Sequence, residues 1–146
     1  MAQARSAGSA HCAAADPGVG DASGVSAPAR AELKVALFAT CFNDIMWPET
    51  PKSVVRLLRR LGCAVDFPVT QTCCGQMFTN TGYAAEAVPA VRTFVEAFAS
   101  YDAIVAPSGS CVGSVRHQHR DIARRAGDAR LCADVEDLAP RVYELS

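Results

Sequence analysis

Seven cysteines in a chain of 146 residues are the first feature of this sequence that points to chemistry. Four of them stand in short segments of loop-like composition, namely Cys41, Cys73, Cys74 and Cys111. Thiolates are soft donors that bind iron–sulfur clusters, zinc or Cu(I), and four of them complete the ligand set of a cluster or of a tetrahedral zinc. The sequence therefore predicts a thiolate metal site with these four cysteines as its ligands.

The cysteine count also bears on the cellular compartment. Seven is an odd number, whereas a secreted disulfide framework normally has an even one. The first 30 residues contain no continuous apolar core of the roughly 7–15 residues that a signal peptide needs. Clustered thiols in a reducing compartment more often bind metals than form disulfides. We therefore expect a cytoplasmic protein.

The adjacent pair Cys73 and Cys74 distinguishes between the metals. Two neighbouring residues reach one tetrahedral zinc only with strain, whereas a cluster offers them two different irons or a bridging position. The pair favours an iron–sulfur cluster, with a zinc-stabilised assembly domain without redox function as the alternative. A thiol enzyme that uses the pair as a dithiol ranks below both, because C-x-x-C is the usual redox motif.

Three short apolar runs predict buried strands, at residues 35–40, 63–67 and 102–106. Helical patterns occupy residues 51–61, 83–99 with a kink or a junction of two helices at Pro89, 111–125, and 129–145 with an interruption at Pro140. The resulting order, β-α-β-α-β-α, is typical of an α/β domain with a small parallel sheet and right-handed crossovers.

Each predicted metal ligand follows one of these strands. Cys41 follows the first strand, Cys73 and Cys74 the second, and Cys111 the third, at the start of a helix. Ligands of open parallel sheets bind outside the carboxyl ends of the strands, so we expect the four thiols to converge there. The helix dipole should also lower the pKa of the Cys111 thiol.

The other cysteines have plainer interpretations. Cys63 and Cys132 are expected to pack as small apolar side chains. Cys12 lies within residues 1–32, which are rich in Ala, Gly, Ser and Pro and predict a disordered tail. None of the three shares the strand-end placement of the predicted ligands.

Two histidines and a tryptophan near the cysteines are weaker candidates. His117 and His119 are expected on the surface of a basic helix, because both lie too far along it to share a metal with Cys111. Trp47, in the predicted loop after Cys41, is expected either to shield the metal from water or to serve as an ordinary packing residue.

Charge and hydropathy argue against two classes of partner. Fourteen Lys and Arg residues stand against fifteen Asp and Glu, a net charge of −1, so no basic excess exists to hold nucleic acid. The apolar runs are far shorter than the roughly 20 residues of a membrane-spanning helix. We expect no nucleic-acid partner and no membrane span.

Several motifs together resemble the cysteine-rich CCG domain that occurs in heterodisulfide reductase and in the iron–sulfur component of glycolate oxidase. The motifs are Trp47-Pro48-Glu49, Leu61-Gly62-Cys63, Gln71-Thr72-Cys73-Cys74-Gly75-Gln76, Asn80-Thr81-Gly82-Tyr83 and Ala106-Pro107-Ser108-Gly109-Ser110-Cys111. Over residues 34–146 the chain is similar to the lactate-utilisation protein A branch of this family.

The resemblance implies a function. It implies an iron–sulfur cluster, of the 4Fe–4S type, on Cys41, Cys73, Cys74 and Cys111. It further implies a non-catalytic or co-catalytic electron-transfer subunit of a cytoplasmic oxidoreductase complex that converts L-lactate to pyruvate. The implied partners are a larger iron–sulfur protein and a small third component.

Two departures from the family pattern qualify this expectation. The wider family ends its motif with C-x-x-C, whereas Ser114 stands in the second place here, and a hydroxyl is a poor ligand for cluster iron. Family members also carry two cysteine-rich halves, whereas residues 33–146 form a single cysteine-rich domain. We expect a chain truncated before a second half, for which an inactive fragment is a further alternative.

Overall fold

The computed structural model describes residues 33–145, so the predicted disordered tail at 1–32 and Cys12 lie outside the described residues. In chain order the elements are β1 (Val35–Leu37), α1 (Cys41–Met46), α2 (Glu49–Arg60), β2 (Val65–Asp66), α3 (Gln76–Asn80), α4 (Val88–Phe98), β3 (Ala103–Ala106), α5 (Gly109–Gly113), a π-helical turn (Ser114–Gln118), α6 (His119–Ala126), α7 (Ala129–Leu138), a 3-10 turn (Ala139–Arg141) and β4 (Val142–Glu144).

The four strands form one sheet in the order β2-β1-β3-β4, and every pair is parallel. Val35 of β1 pairs with Val65 on one side and with Ala103 on the other. Ile104 of β3 pairs with Val142 of β4. The predicted α/β class with a small parallel sheet is confirmed.

Helices cover both faces of this sheet, as the alternation of side chains along β1 requires. Val35 and Leu37 pack with Val54 and Leu58 of α2 on one face. On the other face, Ala36 and Phe38, the first residue after β1, join a larger core with α4, α6 and α7. Three aromatic rings fill its centre, with Phe38 at 5.0 Å from Phe94 and 5.8 Å from Phe98 between centroids.

The amphipathic helix α2 begins two residues before the predicted start at 51 and otherwise follows the prediction. It buries Val54 and Leu58, while Arg59 and Arg60 are exposed. With 12 residues it is also the longest α-helix in residues 33–145. No helix in that range combines the length and apolar character needed to cross a bilayer.

The helix predicted over 129–145 is wrong for its last residues. It ends at Leu138, Pro140 lies in the 3-10 turn, and residues 142–144 form β4. Val142 is fully buried against β3. A three-residue strand is decided by its pairing partner rather than by its own periodicity, which is why the sequence pattern missed it.

Three further predictions of local structure need correction. A short helix, α1, occupies part of the predicted loop after β1. Pro89 lies in the first turn of α4, where its missing N–H costs no hydrogen bond, so the predicted kink is absent there. The helix predicted over 111–125 begins earlier, at Gly109, and contains the π-helical turn before it continues as α6.

Candidate metal centre

The four predicted ligands line one cavity at the carboxyl ends of β1 and β3, with a volume of about 430 Å³. The other residues that line it are Phe42, Ile45, Met46, Gln76, Met77, Ser108 and Ser110. The structure therefore brings the thiols of Cys41, Cys73, Cys74 and Cys111 to one place. That they bind a metal stays a prediction.

The thiols are arranged as two pairs. Cys41 Sγ donates a hydrogen bond to Cys73 Sγ at 3.4 Å, and the thiols of Cys74 and Cys111 lie close enough for each to shift the pKa of the other. The chain neighbours Cys73 and Cys74 thus point to different partners. Among residues 33–145, no three His, Cys, Asp or Glu side chains form the arrangement that a single metal ion needs. Two thiol pairs around one cavity fit a group with several metal atoms better than one tetrahedral ion.

Cys41 is positioned by a strained residue directly before it. Thr40 is the one described residue other than glycine with a positive φ, at 63°, and its side chain is buried. Asn43 donates to both Thr40 Oγ1 and the carbonyl oxygen of Pro107, each at 3.0 Å. A β-branched residue adopts this backbone only when its surroundings enforce it. Asn43 thereby ties the turn that carries Cys41 to the turn that carries Cys111.

Gln71 fixes the start of the loop that carries Cys73. Its Oε1 accepts from the backbone N–H of Ala39 at 3.0 Å. Its Nε2 donates to the carbonyl oxygens of Leu37 at 3.1 Å and of Pro68 at 3.0 Å. All hydrogen-bonding groups of this amide are directed at backbone, so the loop after β2 is held against the end of β1.

Gly75 lets the chain turn immediately after the second cysteine of the pair. Its φ is +79°, a conformation that favours glycine. An added Cβ would lie 3.5 Å from the Cβ of Ala87, an ordinary contact, so the backbone conformation rather than space requires glycine. The turn leads directly into α3.

In the turn before Cys111, a side chain at position 109 would meet the last residue of the edge strand. An added Cβ at Gly109 would lie 2.7 Å from Oε1 of Glu144, the last residue of β4. The carboxylate therefore occupies the space beside this turn. On either side of Gly109, Ser108 and Ser110 line the cavity.

The pKa of the Cys111 thiol is lowered to about 6. The main cause is the hydrogen bond from the Cys74 thiol, and the hydroxyls of Ser108, Ser110 and Thr40 act in the same direction against the effect of burial. The predicted direction is confirmed, but hydrogen bonds to the thiolate account for it rather than the helix dipole alone.

The pKa values of two other thiols move in the opposite direction. Burial, followed by the contact with Cys73, raises the pKa of Cys41 to about 11. Donation of its hydrogen bond to Cys111, followed by burial, raises the pKa of Cys74. At neutral pH the metal-free cavity therefore holds the Cys111 thiolate beside two protonated thiols.

His119 is not the surface residue that the sequence predicts. Its side chain is 1% exposed, its ring meets the edge of Phe94 at 5.3 Å between centroids, and its Nε2 lies 2.7 Å from the carbonyl oxygen of Cys74. Burial lowers its pKa to about 4, so the ring is neutral at neutral pH. His119 lies three and four residues before the buried Ile122 and Ala123, so all three share one helix face. This spacing is the signal in the sequence that indicates a buried histidine. His117 is exposed, as predicted.

Ser114, at the position of the family's further cysteine, does not line the cavity. It is buried and donates its hydroxyl to Oε1 of Gln118 at 2.8 Å. Gln118 also accepts from Thr79 at 2.8 Å and donates to Asn80 at 3.3 Å. Ser114 thus belongs to a polar network that ties the π-helical turn to α3.

Trp47 stands beside the cavity rather than in its wall. Its side chain is exposed, and its ring packs on Phe42 at 5.1 Å between centroids. Phe42 does line the cavity, together with the exposed side chains of Ile45, Met46 and Met77. We call these four residues the apolar rim. Of the two expectations for Trp47, packing is the one that the contacts support.

The remaining described cysteines lie away from the cavity. Cys63 is buried in the core between the sheet and α2. Cys132 is partly exposed and packs against the larger core. Both have apolar neighbours.

Comparison with known sequences places this arrangement in a family. The sequence model of the cysteine-rich domain CCG matches residues 35–116, more than half of the chain, and the chain belongs to this family. It is 45% identical to lactate utilization protein A of Geobacillus kaustophilus (strain HTA426) and 54% identical to lactate utilization protein A 1 of Bacillus mycoides (strain KBAB4). In both cases the match covers 78% of this chain and 46% of the relative. The chain thus spans just under half the length of these curated relatives. No solved structure matches the chain significantly.

Proposed function

We propose that the chain holds an iron–sulfur cluster, of the 4Fe–4S type, on Cys41, Cys73, Cys74 and Cys111 and serves as an electron-transfer subunit. The observation that carries the proposal is the arrangement of four thiols as two pairs around one cavity. Four cysteines are the usual ligand set of such a cluster. When bound, the cluster accepts and releases single electrons.

Residues around the cavity contribute to this role in two ways. The hydroxyls of Ser108, Ser110 and Thr40 stabilise Cys111 as the thiolate that a metal requires. The apolar rim limits the access of water from the open side of the cavity. Hydrogen bonds to sulfur and solvent exposure are both determinants of cluster potential, so these residues adjust it.

The names of the relatives support a role in lactate metabolism. In this proposal the chain is a non-catalytic or co-catalytic part of a cytoplasmic complex that oxidises L-lactate to pyruvate. Its partners are a larger iron–sulfur protein and a small third component. The proposal also includes a second cysteine-rich half that completes the functional unit, and the greater length of the relatives, of which the match covers 46%, is compatible with it.

The cluster is tested by anaerobic purification of the chain without a metal-binding tag. Iron, acid-labile sulfide and zinc are then measured together with the visible absorption spectrum. Iron and sulfide in near-equal amounts in a brown protein support the proposal. Stoichiometric zinc without sulfide overturns it in favour of a zinc-stabilised structural domain, and a folded protein that takes up neither metal on reconstitution overturns both.

The lactate assignment needs a separate test in the source organism. Deletion of the coding sequence should abolish growth on L-lactate, and a Cys74→Ser copy should fail to restore it. A Cys132→Ser copy should restore growth, because Cys132 lies outside the cavity. Undiminished growth of the deletion strain on L-lactate, with loss of growth on another 2-hydroxy acid, would reassign the substrate.

A further inference from the structure

The carbonyl oxygen of Cys74 is a buried hydrogen-bond acceptor. Because Cys74 lies outside the helices and strands, no regular backbone hydrogen bond is available to it. Cys74 is 3% exposed and lies in the loop between β2 and α3. The chain leaves it through Gly75, whose positive φ turns the backbone away. A buried carbonyl oxygen without a donor is costly, so this loop conformation depends on a donor from elsewhere.

His119 supplies that donor from 45 residues further along the chain. Its Nε2 lies 2.7 Å from the Cys74 oxygen, and because a carbonyl only accepts, Nε2 carries the proton. The ring itself is held in place, since it is 1% exposed and packs edge-on against Phe94. A rigid donor on a buried helix face therefore fixes the orientation of one peptide group.

The loop is held at its other end by Gln71. That side chain bonds the backbone of Ala39, Leu37 and Pro68, and so fixes the segment before Cys73. The segment held by Gln71 and His119 contains Cys73 and Cys74. The thiol of Cys73 faces Cys41, and that of Cys74 faces Cys111. Cys74 carries both the carbonyl that His119 binds and the thiol that faces Cys111, so a shift of its main chain after loss of the donor would move this thiol relative to Cys111.

We propose that His119 is a positioning residue of the metal centre: its Nε2–H holds the Cys74 carbonyl and thereby sets the direction in which Cys74 presents its thiol. The part of this inference that concerns a metal rests on the proposed function. The part that concerns the Cys74 thiol does not, because the contact between His119 and Cys74 involves protein atoms alone.

The test compares three variants. His119→Gln keeps an N–H donor at a similar reach, His119→Leu removes the donor but keeps an apolar side chain, and Ile122→Ala is the control. Ile122 is 1% exposed on the same helix, so its truncation costs packing without removing a donor to Cys74. Circular dichroism and thermal melting establish that each variant is folded at the temperature of the assay.

The first readout is the alkylation rate of each cysteine in the metal-free protein, resolved by mass spectrometry. His119→Leu should raise the rate at Cys74 about tenfold, as expected for loss of one buried hydrogen bond. His119→Gln and Ile122→Ala should stay close to wild type at Cys74. If His119→Leu does not fold, His119→Met, which also lacks a donor, takes its place.

The second readout is iron per chain and the electron paramagnetic resonance spectrum after anaerobic reconstitution. His119→Leu should bind less iron or give an altered spectrum, with recovery in His119→Gln. Unchanged Cys74 alkylation together with unchanged iron in folded His119→Leu would overturn the inference. If wild type binds no iron, the proposed function fails, but the alkylation rates still decide the positioning role.

Discussion

Cys41 Sγ lies 3.4 Å from Cys73 Sγ, although the two residues are 32 positions apart in the chain. Cys41 opens α1 after β1, and Cys73 belongs to the loop after β2, the neighbouring strand of the sheet. Parallel pairing of these strands brings the two loops to the same edge. The contact between the two sulfurs is therefore a product of the sheet.

Each cavity thiol is predicted to be needed for metal binding. Cys41→Ser, Cys73→Ser, Cys74→Ser and Cys111→Ser should each lose most of the bound iron, because a hydroxyl is a poor ligand for cluster iron. Iron and sulfide per chain after anaerobic reconstitution are the measurement. Cys132→Ser is the matched control and should load as wild type does. Equal iron in all five variants would remove these residues as ligands.

Ser114 is predicted to matter for stability and not for the metal. Ser114→Ala removes its hydrogen bond to Gln118 and should lower the free energy of unfolding by about 1 kcal/mol, measured in urea. Iron content should not change. Ser114→Cys should bind no additional iron, since this position does not line the cavity. A clear loss of iron in folded Ser114→Ala would make Ser114 a ligand instead.

Gln71 offers a prediction in which the size of the destabilisation depends on pH. Gln71→Glu replaces the Nε2 donor by an oxygen that faces the carbonyls of Leu37 and Pro68. The charged form is disfavoured, so the folded-state pKa of this carboxyl rises above its unfolded value of about 4.3. The destabilisation, roughly 1–3 kcal/mol, should therefore be present at neutral pH and shrink as the pH falls and the group protonates.

The control for this experiment is Gln71→Ala, which loses the same bonds but carries no titrating group. Its destabilisation relative to wild type should be nearly independent of pH in this range. Urea unfolding at about pH 7 and about pH 4.5 separates the two variants. If Gln71→Glu is as stable as wild type at neutral pH, the hydrogen bonds that Gln71 makes to the backbone do not stabilise the fold.

Asp128 caps α7, and the pKa of its carboxyl is shifted in the opposite direction, downwards. The N–H of Leu131, and then Arg92, hold the pKa of the Asp128 carboxyl below its usual value. A depressed folded-state pKa contributes stability that is present above the unfolded pKa and is lost as the pH falls through the folded pKa. Asp128→Ala should therefore lower the Tm at neutral pH, and the difference from wild type should narrow in acid.

Asp128→Asn is the comparison for this cap, because it keeps an oxygen acceptor without the charge. Its Tm should lie between those of wild type and Asp128→Ala at neutral pH. A difference between wild type and Asp128→Ala that stays constant into acid would show that the charge contributes nothing.

The sequence predicts those parts of the fold that have a local pattern. The apolar runs before Cys41 and Cys111 identify β1 and β3, and the thiols that follow them identify the edge where they meet. The strand at Val142 and the hydrogen bond of His119 depend instead on partners far along the chain, Ile104 and Cys74. The spacing of His119 from Ile122 and Ala123 indicates a buried helix face, but no local periodicity records the partner itself, so these two contacts became visible only in three dimensions.

The carboxylate of Glu144 beside Gly109 has a consequence for substitution. Glu144 ends the strand at one edge of the sheet, and Gly109 lies two residues before Cys111. The carboxylate is the far end of an exposed side chain, so a methyl group at position 109 would push it aside towards solvent instead of distorting the turn before Cys111.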